Sequence, residues 1–125
     1  MSEYATPLPD EITEKICHHV ACIYKDVLPN KTAYACFINI ATKVAIRFAE
    51  EALFNQKYAA GVMGVTLSTM PKEKLHKIIY YSVLSDMTNP SKFQQAFSNT
   101  AQTHTPTEHQ NMVNKLIAGM VQQIL

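Results

Sequence analysis

Apolar residues recur at helical spacing along most of the chain, and one stretch carries them around most of its circumference. At about 100° per residue, Asn30–Asn55 forms a single long helix with only a narrow polar stripe on one side. This polar stripe consists of Asn39, Lys43, Arg47 and Glu50. A helix with so broad an apolar arc needs neighbours on several sides. The pattern therefore predicts that Asn30–Asn55 is the central helix of a compact bundle.

Other apolar stripes predict the helices that surround this central one. They span Asp10–Leu28, a short helix at Ala59–Met63, Pro71–Met87, Ser91–Thr100 and Thr107–Leu125. Residues 1–9 are predicted to form a loose N-terminal arm, because their prolines oppose helix formation. The overall prediction is an all-α fold, a compact bundle of five or six helices that forms a single domain over residues 1–125.

Two local features of these helices are also predicted. The first helix has apolar residues at spacings of three and four, and these define its expected buried face: Ile12, Ile16, Val20, Ile23 and Val27. Asparagine is a favoured N-cap. Asn30 and Asn89 stand where the second helix and the Ser91–Thr100 helix begin, and each is expected to cap its helix.

Composition and charge narrow the class of protein. Apolar residues make up 47% of the chain and only 3 residues are glycine, as in an ordinary globular helical protein. The net charge is +1 without a run of like charges, so a strongly basic surface for nucleic acid is absent. The cysteine count is odd, at 3, and no signal peptide is recognisable. We therefore expect free thiols and a cytoplasmic protein.

The central helix is long enough to cross a bilayer, but its charges argue against that location. Four charged residues would lie within the bilayer, namely Lys43, Arg47, Glu50 and Glu51. Each costs about 2.5–3.5 kcal/mol near the bilayer centre. We therefore expect no membrane segment.

A cluster of thiol and imidazole groups lies on the first predicted helix. His18 and Cys22 stand four residues apart on one helical face, so both could bind one metal ion. A zinc site needs three or four protein ligands, and His104 and His109 are the obvious further donors. The alternative is that these are ordinary surface residues beside a buried Cys17. Because no CxxC or HExxH spacing is present, we predict neither a metal nor another cofactor.

Signatures of catalysis are also missing from the sequence. It contains no GxSxG, no P-loop and no GxGxxG. Cys17 and Cys36 lie on largely apolar helices, where burial raises the pKa of a thiol and makes it less reactive. We therefore predict that the chain is not an enzyme.

Residues 60–70 resemble the helix-turn-helix core of bacterial regulators. The matching residues are Ala60, Gly64, Val65, Thr66, Thr69 and Met70. The resemblance implies a turn at Gly64, a recognition helix capped by Thr66, and phosphate contacts from Lys72, Lys74 and Lys77. Pro71 departs from the pattern, because inside a recognition helix it would remove a hydrogen bond and clash. A small DNA-binding regulator that uses residues 60–77 is therefore the alternative prediction, and nucleic acid is not the partner we favour.

The favoured prediction is a small non-enzymatic interaction protein, that is, an adaptor, an inhibitor or a regulatory subunit. Its partner would be another protein or, as a homodimer, a second copy of the chain. On the central helix, Asn39, Lys43, Arg47 and Phe54 are the candidate contact residues, because an aromatic beside a polar stripe suggests a covered surface. Phe93 and Phe97 are further candidates, since their short helix is expected to leave them partly exposed.

Overall fold

The computed structural model describes residues 9–28, 30–64, 71–104 and 110–124, with the backbone alone for 103–104 and 123–124. These ranges contain five α-helices, one 3-10 turn and no β-strand. The elements are α1 Asp10–Ile23, the 3-10 turn Lys25–Val27, α2 Lys31–Val62, α3 Lys72–Met87, α4 Pro90–His104 and α5 Gln110–Ile124. The prediction of an all-α helical bundle is confirmed. None of the helices described here is long and apolar enough to cross a membrane.

α2 is the central helix, as predicted, and α1, α3, α4 and α5 all pack against it. Asn30 caps its start, because the Asn30 side chain accepts a hydrogen bond of 2.9 Å from the backbone N–H of Ala33. The helix runs on to Val62 rather than ending at Asn55, so the separate short helix predicted at Ala59–Met63 is wrong. With 32 residues, α2 is about 48 Å long, roughly twice the length of the other helices.

The end of α1 differs from the prediction in a way that changes which residues are buried. The α-helix stops at Ile23 instead of continuing to Leu28, and the chain tightens into the 3-10 turn. Ile23, expected in the core, is 47% exposed, whereas Tyr24 is only 3% exposed. The buried face of α1 passes through Val20 and Tyr24 and leaves Ile23 at its edge. The larger aromatic ring occupies the core position.

The aromatic core explains why Phe93 and Phe97 are fully buried, at 0% exposure each. The ring centroid of Phe37 on α2 lies 5.9 Å from that of Phe93 and 5.4 Å from that of Phe97. Tyr24 stacks on Phe93 at 5.8 Å. The expectation that both α4 phenylalanines are partly exposed is therefore wrong. The physical reason is that α4 packs directly against α2, which brings the Phe37 ring against both phenylalanines.

Candidate interaction site

The C-terminal part of α2 is only partly covered by the other helices, so one of its sides is exposed to solvent. Leu53 and Ala60 on one side are 7% and 8% exposed, so that side still packs on the bundle. On the opposite side, Phe54 is 68% exposed, Tyr58 70% and Val62 72%. Large apolar side chains at this level of exposure, in a row on one helix, are typical of a surface that another molecule covers.

The row is continuous with the polar stripe predicted from the sequence. Phe54, Tyr58 and Val62 stand four residues apart, so each is turned by only about 40° from the one before. Arg47 and Glu50 precede them on the same side. We call the surface formed by Arg47, Glu50, Phe54, Tyr58 and Val62 the outward face of α2.

Part of this outward face is a shallow groove. A groove of about 410 Å³ is lined by Arg47, Glu50, Glu51, Phe54 and Asn55. Among the residues described, neither Arg47 nor Glu50 has an ion-pair partner within the chain. The charged end of the groove is therefore available to charges on another molecule.

The structure brings together some of the predicted contact residues and separates others. Asn39 and Arg47 are exposed and Lys43 is half-buried, and all three lie on the same side of α2 as Phe54. Phe93 and Phe97 lie in the core and cannot contact a partner. The sequence prediction missed Tyr58 and Val62, because it ended the helix at Asn55. The spacing of four from Phe54 through Tyr58 to Val62 was the available signal.

Lys92 of α4 lies beside the outward face of α2 and contacts residues of α3 and α2. Its Nζ lies 3.0 Å from Oδ1 of Asp86 and 5.6 Å from the centroid of the Phe48 ring. A second, smaller groove of about 170 Å³ lies between α2 and α4 and includes Arg47, Glu51 and Lys92 among its lining residues. The flank of the outward face towards α4 is therefore charged and ordered by contacts within the chain.

The lysines proposed for nucleic-acid binding are arranged differently from the helix-turn-helix prediction. Pro71 has φ −56° and ψ 134° and stands immediately before α3, so it does not lie inside a helix. A recognition helix that runs through Pro71 is therefore wrong, and the geometric reason is the proline clash. Thr66 lies outside the described residues. Lys72 is exposed at the start of α3.

Lys74 and Lys77 line a cleft between α1 and α3 with a volume of about 710 Å³. Lys15 contributes a third cation from α1, and Tyr80 and Tyr81 add aromatic surface at 5.4 Å between ring centroids. The cleft is larger than the two grooves beside α2 described above, but it also contains the carboxylate of Glu73. Its mixed charge does not match a phosphate-binding row.

The thiol and imidazole groups of α1 contact protein groups. His18 Nδ1 is hydrogen-bonded to the Tyr34 hydroxyl of α2, and His18 Nε2 lies 3.6 Å from Oε1 of Glu14. Cys22 is exposed. The side chain of His104 and the whole of His109 lie outside the described residues. Within the described part of the chain, no group of three or more His, Cys, Asp and Glu side chains is placed to hold a metal ion.

Cys17 is buried at the contact between α1 and α2. Burial raises the pKa of the Cys17 thiol above its ordinary value, and a hydrogen bond from the Thr42 hydroxyl, at 3.6 Å from Sγ, opposes this only in part. Burial also raises the pKa of Cys36. Both thiols are thus kept in the neutral, poorly nucleophilic form near neutral pH.

The outward face of α2 combines three large apolar side chains, each more than two-thirds exposed, with charged side chains and a groove. No known protein family, curated protein or solved structure matches the chain.

Proposed function

We propose that this chain is a small non-enzymatic interaction protein, and that it acts through protein–protein contacts on the outward face of α2. The observation that carries the proposal is the row of Phe54, Tyr58 and Val62, each more than two-thirds exposed on one side of a projecting helix. An adaptor, an inhibitor or a regulatory subunit would use such a surface in the same way.

Exposure of this row to water has a free-energy cost that a partner would remove. A large aromatic side chain buries about 150–250 Å² when it is fully covered, at about 25 cal/mol per Å². Covering Phe54 and Tyr58 would therefore offset a substantial part of the entropy lost on association. Tyrosine and arginine are also the residue types that dominate binding energy in protein interfaces, and Tyr58 and Arg47 both belong to this face.

The form of the surface favours a helical contact. A row at spacings of four on an exposed helix is the pattern by which one helix binds a groove or a second helix. Arg47 and Glu50 at one end add charges of both signs, which set the orientation of a partner more than its affinity. The proposal assigns no catalytic residue.

The test compares two aromatic surfaces on the same chain. The double variant Phe54→Ser/Tyr58→Ser removes the row, and Tyr81→Ser is the matched control, since Tyr81 is 59% exposed but lies on α3. A protein captured from the native host by the tagged wild-type chain is purified and titrated by calorimetry against all three chains. We expect at least a tenfold loss of affinity for the double variant and no change for the control.

Two outcomes of this titration would contradict the proposal. A captured protein that binds the double variant as tightly as the wild type, or that loses affinity only for Tyr81→Ser, would remove the outward face of α2 as the interaction surface. Circular dichroism of each variant verifies that the helices remain folded.

A further inference from the structure

We propose that the outward face of α2 pairs with the same face of a second copy, as an antiparallel helix pair whose two-fold axis passes between Leu53 and Phe54. This inference rests on the proposed function for the surface and adds the identity of the partner. It follows from a self-complementary arrangement of charges and rings around that axis.

The charges define the register. Glu50 and Lys57 are seven residues apart, close to two full helical turns, so they lie on the same flank of α2. They are also equally far from the midpoint between Leu53 and Phe54. In an antiparallel pair about that midpoint, Glu50 of each copy lies opposite Lys57 of the other. The symmetry produces this opposite-charge contact twice.

The rings occupy the centre of the same register. Phe54 lies next to the axis, so the Phe54 rings of the two copies meet there. Arg47 of one copy lies at nearly the same height as Tyr58 of the other, on the other flank. A guanidinium over a tyrosine ring is a favourable cation–π contact. A shift of one turn along the helix would break the Glu50–Lys57 contact and separate the two Phe54 rings.

The bundle leaves room for this arrangement. The buried residues Ala49 and Ala52 lie on the opposite side of α2 from Phe54, so the rest of the bundle covers that side. The bodies of the two copies therefore lie on opposite sides of the helix pair. Paired helices approach to an axis separation of about 8–10 Å, a distance that the exposed Phe54 and Tyr58 side chains can fill.

The contact is small, so the dimer is expected to be reversible. With the axis between Leu53 and Phe54, the symmetric paired segment runs from Arg47 to Ala60 and is about 21 Å long. Its buried area is therefore at or below the lower end of specific interfaces, about 1,200 Å² in total. We therefore expect a dissociation constant in the micromolar range. It should also weaken with added salt, because the Glu50–Lys57 pairs lie at the solvent-exposed edge.

Sedimentation equilibrium of the full chain tests the register by charge reversal. The variants are Glu50→Lys, Lys57→Glu and the double variant that carries both, with Lys115→Glu on α5 as the control at an exposed position. Each single reversal places like charges opposite each other at both symmetric contacts, so we expect at least a tenfold weaker dimer. The double variant restores opposite charges and should recover the dimer to within about threefold of the wild type.

Three results would overturn the inference: a wild-type chain that stays monomeric at millimolar concentration, a dimer that neither single reversal weakens, or single reversals that the double variant does not rescue. These outcomes are distinguishable from a failure of the proposed function. A monomer that still binds a different protein through Phe54 and Tyr58 would refute the second copy as the partner and leave the interaction surface intact.

Discussion

Gly119 of α5 packs directly against Val27 of the 3-10 turn, at a distance that leaves no room for a side chain. A β-carbon at Gly119 would lie 2.6 Å from both Cβ and Cγ1 of Val27. Those atoms belong to a short, stiff β-branched side chain that cannot move aside. The close approach lets α5 pack against the turn that follows α1.

Replacement of this glycine should therefore destabilise the fold. We expect Gly119→Ala to lower the free energy of unfolding by about 1–3 kcal/mol, the usual cost of overpacking, as measured by urea denaturation. Gly61→Ala is the matched control, because a β-carbon at Gly61 meets nothing within 4 Å. In an exposed helix that change should stabilise by up to about 1 kcal/mol. Equal effects of the two variants would contradict the packing described.

The second prediction separates the core phenylalanines from the surface one. Phe97→Ala should lower the free energy of unfolding by about 3–5 kcal/mol, since the side chain is fully buried against Phe37 and Phe93. Phe54→Ala should change it by less than about 0.5 kcal/mol, as expected for an exposed position. Urea denaturation at low micromolar concentration, where dimerisation contributes little, measures both. A large loss for Phe54→Ala would mean that this ring is not exposed.

The third prediction concerns the start of α2. Asn30→Ala removes the side-chain oxygen that accepts a hydrogen bond from the Ala33 N–H, and should cost about 1 kcal/mol of stability. Asn39→Ala is a suitable control, because Asn39 is exposed within the helix and alanine is the better helix former. Thermal unfolding followed by circular dichroism should show a lower Tm for the first variant and an equal or higher Tm for the second. The reverse order would exclude Asn30 as the cap.

The fourth prediction uses the three thiols, which are all free but differ in exposure. In the folded chain Cys22 should react first with a disulfide reagent, and Cys17 only at the rate of unfolding, because burial both blocks access and raises its pKa. Cys22→Ser should abolish the fast phase in a stopped-flow assay. A fast phase that survives this change would show that Cys17 or Cys36 is accessible.

The raised pKa of Cys17 also has a consequence for stability at high pH. Below the ordinary thiol pKa of 9.0 both the folded and the unfolded chain hold the proton, so the thiol does not alter the balance. Above it the unfolded chain loses its proton first, and the free energy of unfolding falls as the pH rises. Cys17→Ala should reduce this slope, as measured by urea denaturation between pH 8 and about pH 10. An unchanged slope would mean that other groups account for it.

The sequence predicted the helices well wherever capping and periodicity agreed. Asn30 and the apolar arc of α2 predicted the start and the central position of that helix, and Pro71 predicted the start of α3. The capping residue and the proline are local signals, which the sequence shows directly. The predicted end of α2 at Asn55 was too early. The helix continues through Gly61 to Val62, since one glycine costs only about 1 kcal/mol in a helix. The chain turns at Gly64, the glycine with a φ of 74°.

The candidate site was harder to predict, because the exposed fraction of a side chain depends on contacts with residues that are distant in the sequence. The polar stripe identified Arg47 and Phe54, but Phe93 and Phe97 belong to the core. Whether a phenylalanine on a short helix is buried depends on the approach of Phe37 and Tyr24 from distant parts of the sequence. Periodicity within α4 carries no information about those neighbours. The spacing of four from Phe54 through Tyr58 to Val62 is visible in the sequence, but it defines one helical face only because α2 continues beyond Asn55.

The most direct test of the central claim, that the outward face of α2 contacts another protein molecule, is site-specific photo-crosslinking. A photoreactive phenylalanine analogue at position 58 or, as the control, at position 81 replaces an exposed tyrosine in the full chain. After irradiation of the purified protein and of an extract from the native host, crosslinked products are identified by mass spectrometry. We expect intermolecular crosslinks from position 58 and none from position 81. An absence of crosslinks at position 58, or equal crosslinking at both positions, would contradict the claim.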